Sequence, residues 1–184
     1  NAGTIADFAI APVGSPALLK RLPGLLFDRQ GPFSIRQGAL LALLPWLAQF
    51  AWQSFPGRSE NNMRAIAALT LDAGTRWQGL ADDLQADHLI QNKGCLYVFN
   101  NEARYQAGRQ DMRRRQAFGV SVELLNPGEI AQLEPHLPQV EGGGAFFLDA
   151  LSVSDPGHLV GLIARRAEAD GVRILPESVV GLSA

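Results

Sequence analysis

The stretch SVSDPGHLVGLIARRAEADGVRILPESVVGL, residues 152–182, decides the fold class. Asp155 before Pro156 reads as a helix start, an N-cap acceptor followed by a residue whose missing N–H costs nothing in the first turn. Leu159, Leu162, Ile163 and Ala167 then fall at helical spacing on one face. Asp170-Gly171 ends that helix, and VRIL (172–175) and SVVGL (178–182) read as strands. The order strand, helix, strand predicts a right-handed parallel crossover. A parallel strand needs cover on both faces. The stretch therefore predicts a partial α/β layer whose covering elements lie outside it.

Working upstream, Gly142-Gly143-Gly144 leads into extended chain, AFFLDALSVS. A phosphate cradle needs a strand before it and a helix after it, so this glycine run reads as a plain loop. Asn126-Pro127-Gly128-Glu129 has the spacing of a capping box for a short helix that Glu134-Pro135 terminates. VSVELL (120–125) reads as a strand. NEARYQAGRQDMRRRQAF (101–118) reads as a polar helix closed by Gly119. HLIQNKGCLYVF (88–99) reads as two strands joined in a hairpin at Asn92-Lys93-Gly94.

Earlier still, a long helix is expected from Ser59. Its apolar face would carry Ile66, Leu69, Ala73, Trp77, Leu80 and Leu84, with Arg64, Asp72, Arg76 and Asp83 opposite. Another helix is expected over roughly residues 37–54, stopped by Pro56-Gly57. A first one should start at Ser15-Pro16 and run through ALLKRLPGLLFD, weakened at Pro23-Gly24. The expected class is thus α+β: a helix-rich domain with strands, plus a partial α/β segment ending in the crossover.

Composition narrows the function classes. The 184 residues are 47% hydrophobic and 18% charged, which suits a globular core. A net charge of −2 gives no electrostatic reason to expect nucleic acid. The single cysteine, Cys95, excludes an internal disulfide and a thiolate metal cluster, and a reducing compartment is the simpler expectation. The most apolar run, ALLALLPWLAQFAW (39–52), is too short to span a bilayer comfortably and reads as a buried or interfacial helix.

Self-contained chemical motifs are absent: no GxGxxG, P-loop, HExxH or GxSxG occurs. His88, His136 and His158 lack metal-ligand spacing, and no metal is expected. His136, between prolines in a rigid loop, is a candidate site residue, and His158 reads as exposed in a first helical turn. Tyr97 and Phe147 each sit on strands with alternating apolar residues, where one face packs and the other can line a pocket. Packing is the simpler account of both. Arg113-Arg114-Arg115, with Arg104 and Arg109, makes a basic helix. A solvated face explains it most simply, and an anionic partner or lipid headgroup is the alternative. Asp149 and Asp155 lie at the strand–crossover junction, where ligands of α/β folds often sit, although a helix cap accounts for Asp155.

Several segments together resemble a known family. NAGTIA, the PVGSP turn, LPGLLFDRQGPFSIR and LPWLAQF are similar to FAD-dependent D-amino acid dehydrogenases of the broader D-amino acid oxidase group. The Asp-Pro helix and Val-rich strand at 152–182 are similar to the same group. The resemblance implies oxidation of a D-amino acid or related amine to an imino acid by hydride transfer to FAD, with a quinone or other acceptor. It places Asn1, Ala2, Gly3, Thr4 and Ile5 beside the FAD and Val179 near its adenine end. It carries over no catalytic residue, and Tyr97, His136 and Phe147 remain the substrate-binding candidates.

The resemblance also implies a domain plan: 1–14 closing the first FAD-binding stretch, 15–150 as substrate or cap domain, and 151–184 returning to the FAD-binding domain. The family's GxGxxG unit is not in this sequence. The chain alone is therefore expected neither to hold FAD tightly nor to turn over. A cytoplasmic setting is implied, with peripheral contact to the inner membrane face. Uncovered apolar surface is expected to favour a homodimer or a separately supplied flavin-domain portion. The competing expectation is a non-enzymatic interaction domain whose apolar and basic helices meet a partner or a membrane.

Overall fold

The structure, a computed structural model, describes residues 3–20, 40–178 and 181. Two small antiparallel sheets carry the architecture. In the first, β1 (Thr4–Ile5) and β2 (Ile90–Gln91) flank β6 (Leu151–Val153). Thr4 lies opposite Ser152, Ile5 opposite Leu151, and Ile90 opposite Val153. In the second, β3 (Cys95–Val98) and β4 (Val122–Leu125) flank β5 (Gly144–Phe147). Six helices accompany them among the described residues: α1 (Leu40–Gln53), α2 (Pro56–Thr70), α3 (Ala73–Asp83), α4 (Glu102–Ala117), α5 (Pro127–Leu133) and α6 (Pro156–Ala169).

Period-two alternation places the main core. Ala145 and Phe147 point from central strand β5 into a cluster with Phe8, Ile10, Met63, Ala67, Met112, Val120 and Val122. Phe8 stacks on Phe147 at 4.0 Å between ring centroids, and Tyr97 meets both rings edge-on. A smaller cluster of Ala86, Leu89 and Leu159 lies under α6.

The local signals at helix ends held where the side chains cap the backbone. The Asn126 side chain accepts from the Glu129 N–H at 3.0 Å, and Glu129 returns a bond to the Asn126 N–H at 2.7 Å. Asp155 accepts from the His158 N–H at 2.8 Å; Asn101, read only as the first residue of its helix, proves to be its cap, accepting from the Arg104 N–H at 2.9 Å. Ser15 caps a helical turn at 16–20; the expected continuation through Pro23 lies outside the described residues. Asn126→Ala, which deletes one half of the capping box, is expected to cost about 1 kcal/mol in urea unfolding.

Long-range expectations fared differently. Residues 88–99 do not form a hairpin: β2 joins β6, β3 joins β5, and the two belong to different sheets. Asn92-Lys93-Gly94 bridges the sheets instead, with Gly94 at φ +69 and its N–H on the Ala150 carbonyl. Nor does one helix run from Ser59 to Leu84. Pro56 starts α2 rather than merely stopping α1, and a turn at Leu71-Asp72 divides α2 from α3. The face that packs carries Ser59, Met63, Ala67 and Ala81, whereas Leu69 is 79% exposed. The break redirects the chain, so the apolar stripe of one straight helix does not survive it.

No parallel crossover forms among the described residues. VRIL (172–175) has no strand partner among the described residues, Val172, Ile174 and Leu175 are about half exposed, and most of the expected strand SVVGL (178–182) lies outside the described residues. A strand pattern is realised only when a neighbour supplies the ladder bonds. Among the described residues β6 pairs with its antiparallel neighbours β1 and β2.

Candidate functional site

The N-terminal segment 3–14 is part of the first sheet at β1 and packs on residues of the second beyond it. Its β1 residues pair with β6, and the Val153 N–H bonds the Gly3 carbonyl at 2.5 Å. Beyond β1, Phe8 and Ile10 enter the core, and Ser59 Oγ donates to the Gly14 carbonyl at 3.1 Å. Gly3 is required by close approach: a Cβ there would stand 2.9 Å from the Val153 carbonyl oxygen.

Gly3, Thr4, Ile5 and Ala6 form one wall of a cleft of about 360 Å³. Thr70, Ala73 and Trp77 close it from α2 and α3, and Leu159, Val160 and Ile163 from α6. The three expected cofactor-side residues that are described, Gly3, Thr4 and Ile5, thus share one cleft. Asn1, Ala2 and Val179 lie outside the described residues. The signal that sequence reasoning missed is Trp77: assigned to the buried face of a long helix, it lines this cleft and is 36% exposed.

The cleft's chemistry fits one part of FAD. Small residues on one wall let a flat ring approach the backbone, and the aliphatic side chains with Trp77 offer an apolar surface for it. The lining side chains include no charged group, so this cleft suits the ring end rather than the diphosphate. Metal binding has no comparable basis: among the described residues, no group of three His, Cys, Asp or Glu side chains converges.

The substrate candidates differ in exposure. Phe147 is 1% exposed and enclosed by Phe8 and Tyr97, so it is a core residue rather than a pocket wall. Tyr97, on edge strand β3, keeps 45% of its surface exposed while its ring packs on Phe8. His136 is exposed in the turn after α5, away from the Gly3 cleft. Tyr97 and Phe147 thus pack on each other at 5.1 Å between ring centroids, and His136 stands apart from both.

A second recess lies on the other side of the N-terminal segment, where Asp7 and Asp149 share two adjoining hollows. Burial pushes the Asp7 carboxyl above its ordinary value, and the Asp149 charge adds to the rise; backbone N–H groups of Phe8 and Asp7 oppose it. A carboxyl that holds its proton more tightly when folded contributes stability that is fully present below its unfolded value. That contribution is lost as pH rises through the folded value. Urea midpoints are expected to show this loss upward from about pH 3.9, the ordinary aspartate value. Asp7→Asn should flatten the slope and raise stability at neutral pH.

The basic helix is not one solvated face. Arg113 is exposed, whereas the Arg115 side chain is only 12% exposed, pairs with Asp111 at 3.0 Å and turns inward. Arg109 packs toward the Tyr105 ring and bonds Gln106 at 2.9 Å.

Two small antiparallel sheets, a small-residue N-terminal segment and an apolar cleft frame the candidate site. Comparison with known proteins gives the family. Residues 26–184 match the family described as "DAO: FAD dependent oxidoreductase". The D-amino-acid oxidase of Bradyrhizobium diazoefficiens is 30% identical over 183 residues, 99% of this chain and 43% of that protein. The crystal structure of glycine oxidase from Geobacillus kaustophilus aligns with a TM-score of 0.48 at 24% identity, covering 58% of this chain and 30% of that one. The chain belongs to the DAO family of FAD-dependent oxidoreductases. It spans less than half the length of the curated relative it matches.

Proposed function

We propose that this chain is the cofactor-facing and substrate-facing part of a flavoenzyme that oxidises D-amino acids, or related amines, to imino acids. A quinone or other acceptor takes the electrons onward. Family membership supplies the cofactor class, and the D-amino-acid oxidase relative supports the substrate class. One observation carries the local assignment: Gly3, Thr4 and Ile5 line the same apolar cleft as Trp77.

The chemistry FAD supplies when bound is two-electron oxidation of the substrate's Cα–N unit. This chain's residues supply the seat. Gly3 to Ala6 present backbone to the ring, Trp77 and the α6 side chains exclude water from it, and Tyr97 faces the substrate side. Pairing of β1 with β6 supports grouping 1–14 with 151–184 around the cofactor, and 15–150 as the substrate or cap domain.

The test uses the whole protein purified with its flavin and assayed with paired D- and L-amino acids and an artificial electron acceptor. Reduction with D-isomers only is the expected result. A protein that carries no flavin, or reacts with neither isomer, overturns the assignment. The 184-residue chain by itself is expected to lack stoichiometric flavin absorbance.

A specific observation supports a second role beside the first. Helix α1 has no charged residue in LLALLPWLAQFAWQ, and Leu41, Trp46 and Trp52 are more than half exposed. Exposed tryptophans on an uncharged helix suit a membrane surface, where their rings rest at headgroup level. None of the described helices is long and apolar enough to cross a bilayer, so the contact would be peripheral. Co-sedimentation with anionic vesicles that survives the double change Trp46→Ser and Trp52→Ser counts against it.

A further inference from the structure

The wall Gly3–Ala6 cannot place itself. Its ladder to β6 holds Thr4 and Ile5 in the first sheet, and Ile5 packs, but its place relative to the second sheet depends on what holds the backbone beyond the strand. At one end the Val153 N–H holds the Gly3 carbonyl. At the other, the guanidinium of Arg115 reaches across 107 residues of sequence and donates from Nη1 to the Phe8 carbonyl. Thr70 Oγ1 reaches the neighbouring Asp7 carbonyl only at 3.5 Å, and bonds Ile66 more closely at 3.0 Å.

Arg115 is itself well fixed. Its Nε donates to Asp111 one helical turn earlier at 3.0 Å, and its guanidinium carbon lies 5.9 Å from the centre of the Phe147 ring. Its own carbonyl accepts from the N–H groups of Phe118 and Val120, tying the end of α4 to the approach to β4. A planar donor held by a carboxylate and an aromatic ring in a mostly buried site is a rigid pointer; a lysine there offers only a flexible point charge. Among the described residues it is the one charged side chain from outside segment 3–14 that bonds that segment's backbone.

Resting on the cofactor seat proposed above, we infer that Arg115 is a positioning residue for FAD. By gripping the Phe8 carbonyl it fixes the Gly3–Ala6 wall against the sheet that carries Tyr97. Cofactor seat and substrate side then keep one register, although the two sheets share no strand. Phe8 is the hinge point of this coupling: its carbonyl is held by Arg115 and its ring stacks on Phe147.

The experiment compares FAD affinity, flavin visible circular dichroism and hydrogen exchange in the whole protein with Arg115 intact, Arg115→Ala and Arg115→Lys. Arg115→Ala is expected to weaken FAD binding at least tenfold, reduce the flavin dichroism and speed exchange in peptides covering 3–10 by tenfold or more. Peptides over 144–151 should change far less, and Arg115→Lys should recover part of each effect. Ile130→Ala, a core change on α5 away from the cleft, controls for lost stability and should leave affinity and dichroism in place. If Arg115→Ala does not fold, the Lys variant decides, with a measurable loss of affinity and dichroism expected. Unchanged affinity and dichroism in a folded Arg115 variant overturns the positioning role alone, as does an equal loss in Ile130→Ala. If FAD gives residues 3–6 no protection even with Arg115 intact, the cofactor seat is overturned and the role falls with it.

Discussion

Phe147→Ala is expected to cost about 3–5 kcal/mol, the largest effect of any single side-chain truncation considered for this chain. Phe147 is 1% exposed and occupies the centre of the main core from the middle strand of its sheet. Its ring stacks on Phe8 and takes the edge of Tyr97, and Cys95 and Val122 lie opposite it on the flanking strands. Truncation removes transfer free energy and leaves a cavity that a sheet fixed on both sides cannot close. A domain's total stability is about 5–15 kcal/mol, so the variant should sit near its unfolding threshold. Urea denaturation followed by far-UV circular dichroism measures it. A loss below about 1.5 kcal/mol, the range of a tolerated volume-conserving swap, would mean that Phe147 is not enclosed. Damage to the proposed cofactor seat should accompany the loss, because the same ring supports Phe8.

Gly142→Ala and Gly143→Ala are expected to be the next most costly changes, at about 1–3 kcal/mol each from overpacking. A Cβ on Gly142 would collide with the carbonyl oxygen of Phe99 and stand 2.5 Å from that of Asn101. These are backbone atoms at the start of α4 and have no rotamer to yield. Gly143 adds a backbone demand, since its φ of +99 is one that side chains with a Cβ rarely adopt, and its Cβ would meet the Leu125 carbonyl oxygen at 2.8 Å. Gly119→Ala is the informative comparison. That residue also has positive φ, at +94, but open space around it, so its loss should reflect backbone strain alone. Thermal unfolding of the three variants separates the terms. Equal losses at 119 and 142 would overturn the crowding argument.

The glycine run shows where sequence reading stopped. Nothing near 142–144 in the chain announces that Phe99, Asn101, Leu125 and Tyr105 crowd around it. The plain loop expected there is a tightly packed entry to the central strand. The same limit explains the hairpin that did not form at 92–94. A turn signal specifies that the chain bends, while the partners of each strand are chosen by apolar faces far away in sequence. Arg115 could not be separated from Arg113 and Arg114 for the same reason, because its acceptor, the Phe8 carbonyl, belongs to a different part of the chain.

Local order was well marked. Ser15, Asn126 and Asp155 each cap a helical segment in the expected place, since a cap bond needs only neighbours three residues on. The family was also readable in short segments such as NAGTIA, and the match over 26–184 agrees with that resemblance. The α+β character followed from periodicity alone. Tertiary structure decided the rest: which strands share a sheet, where the long helix breaks, and that Phe147 is core while Tyr97 keeps an exposed edge. It also brought Gly3, Thr4 and Ile5 to one cleft with Trp77. Caps and periods are set by contacts within a turn or two of the chain. Sheet partners, crowded glycines and the grip of Arg115 on Phe8 depend on surfaces that meet only after the chain has folded.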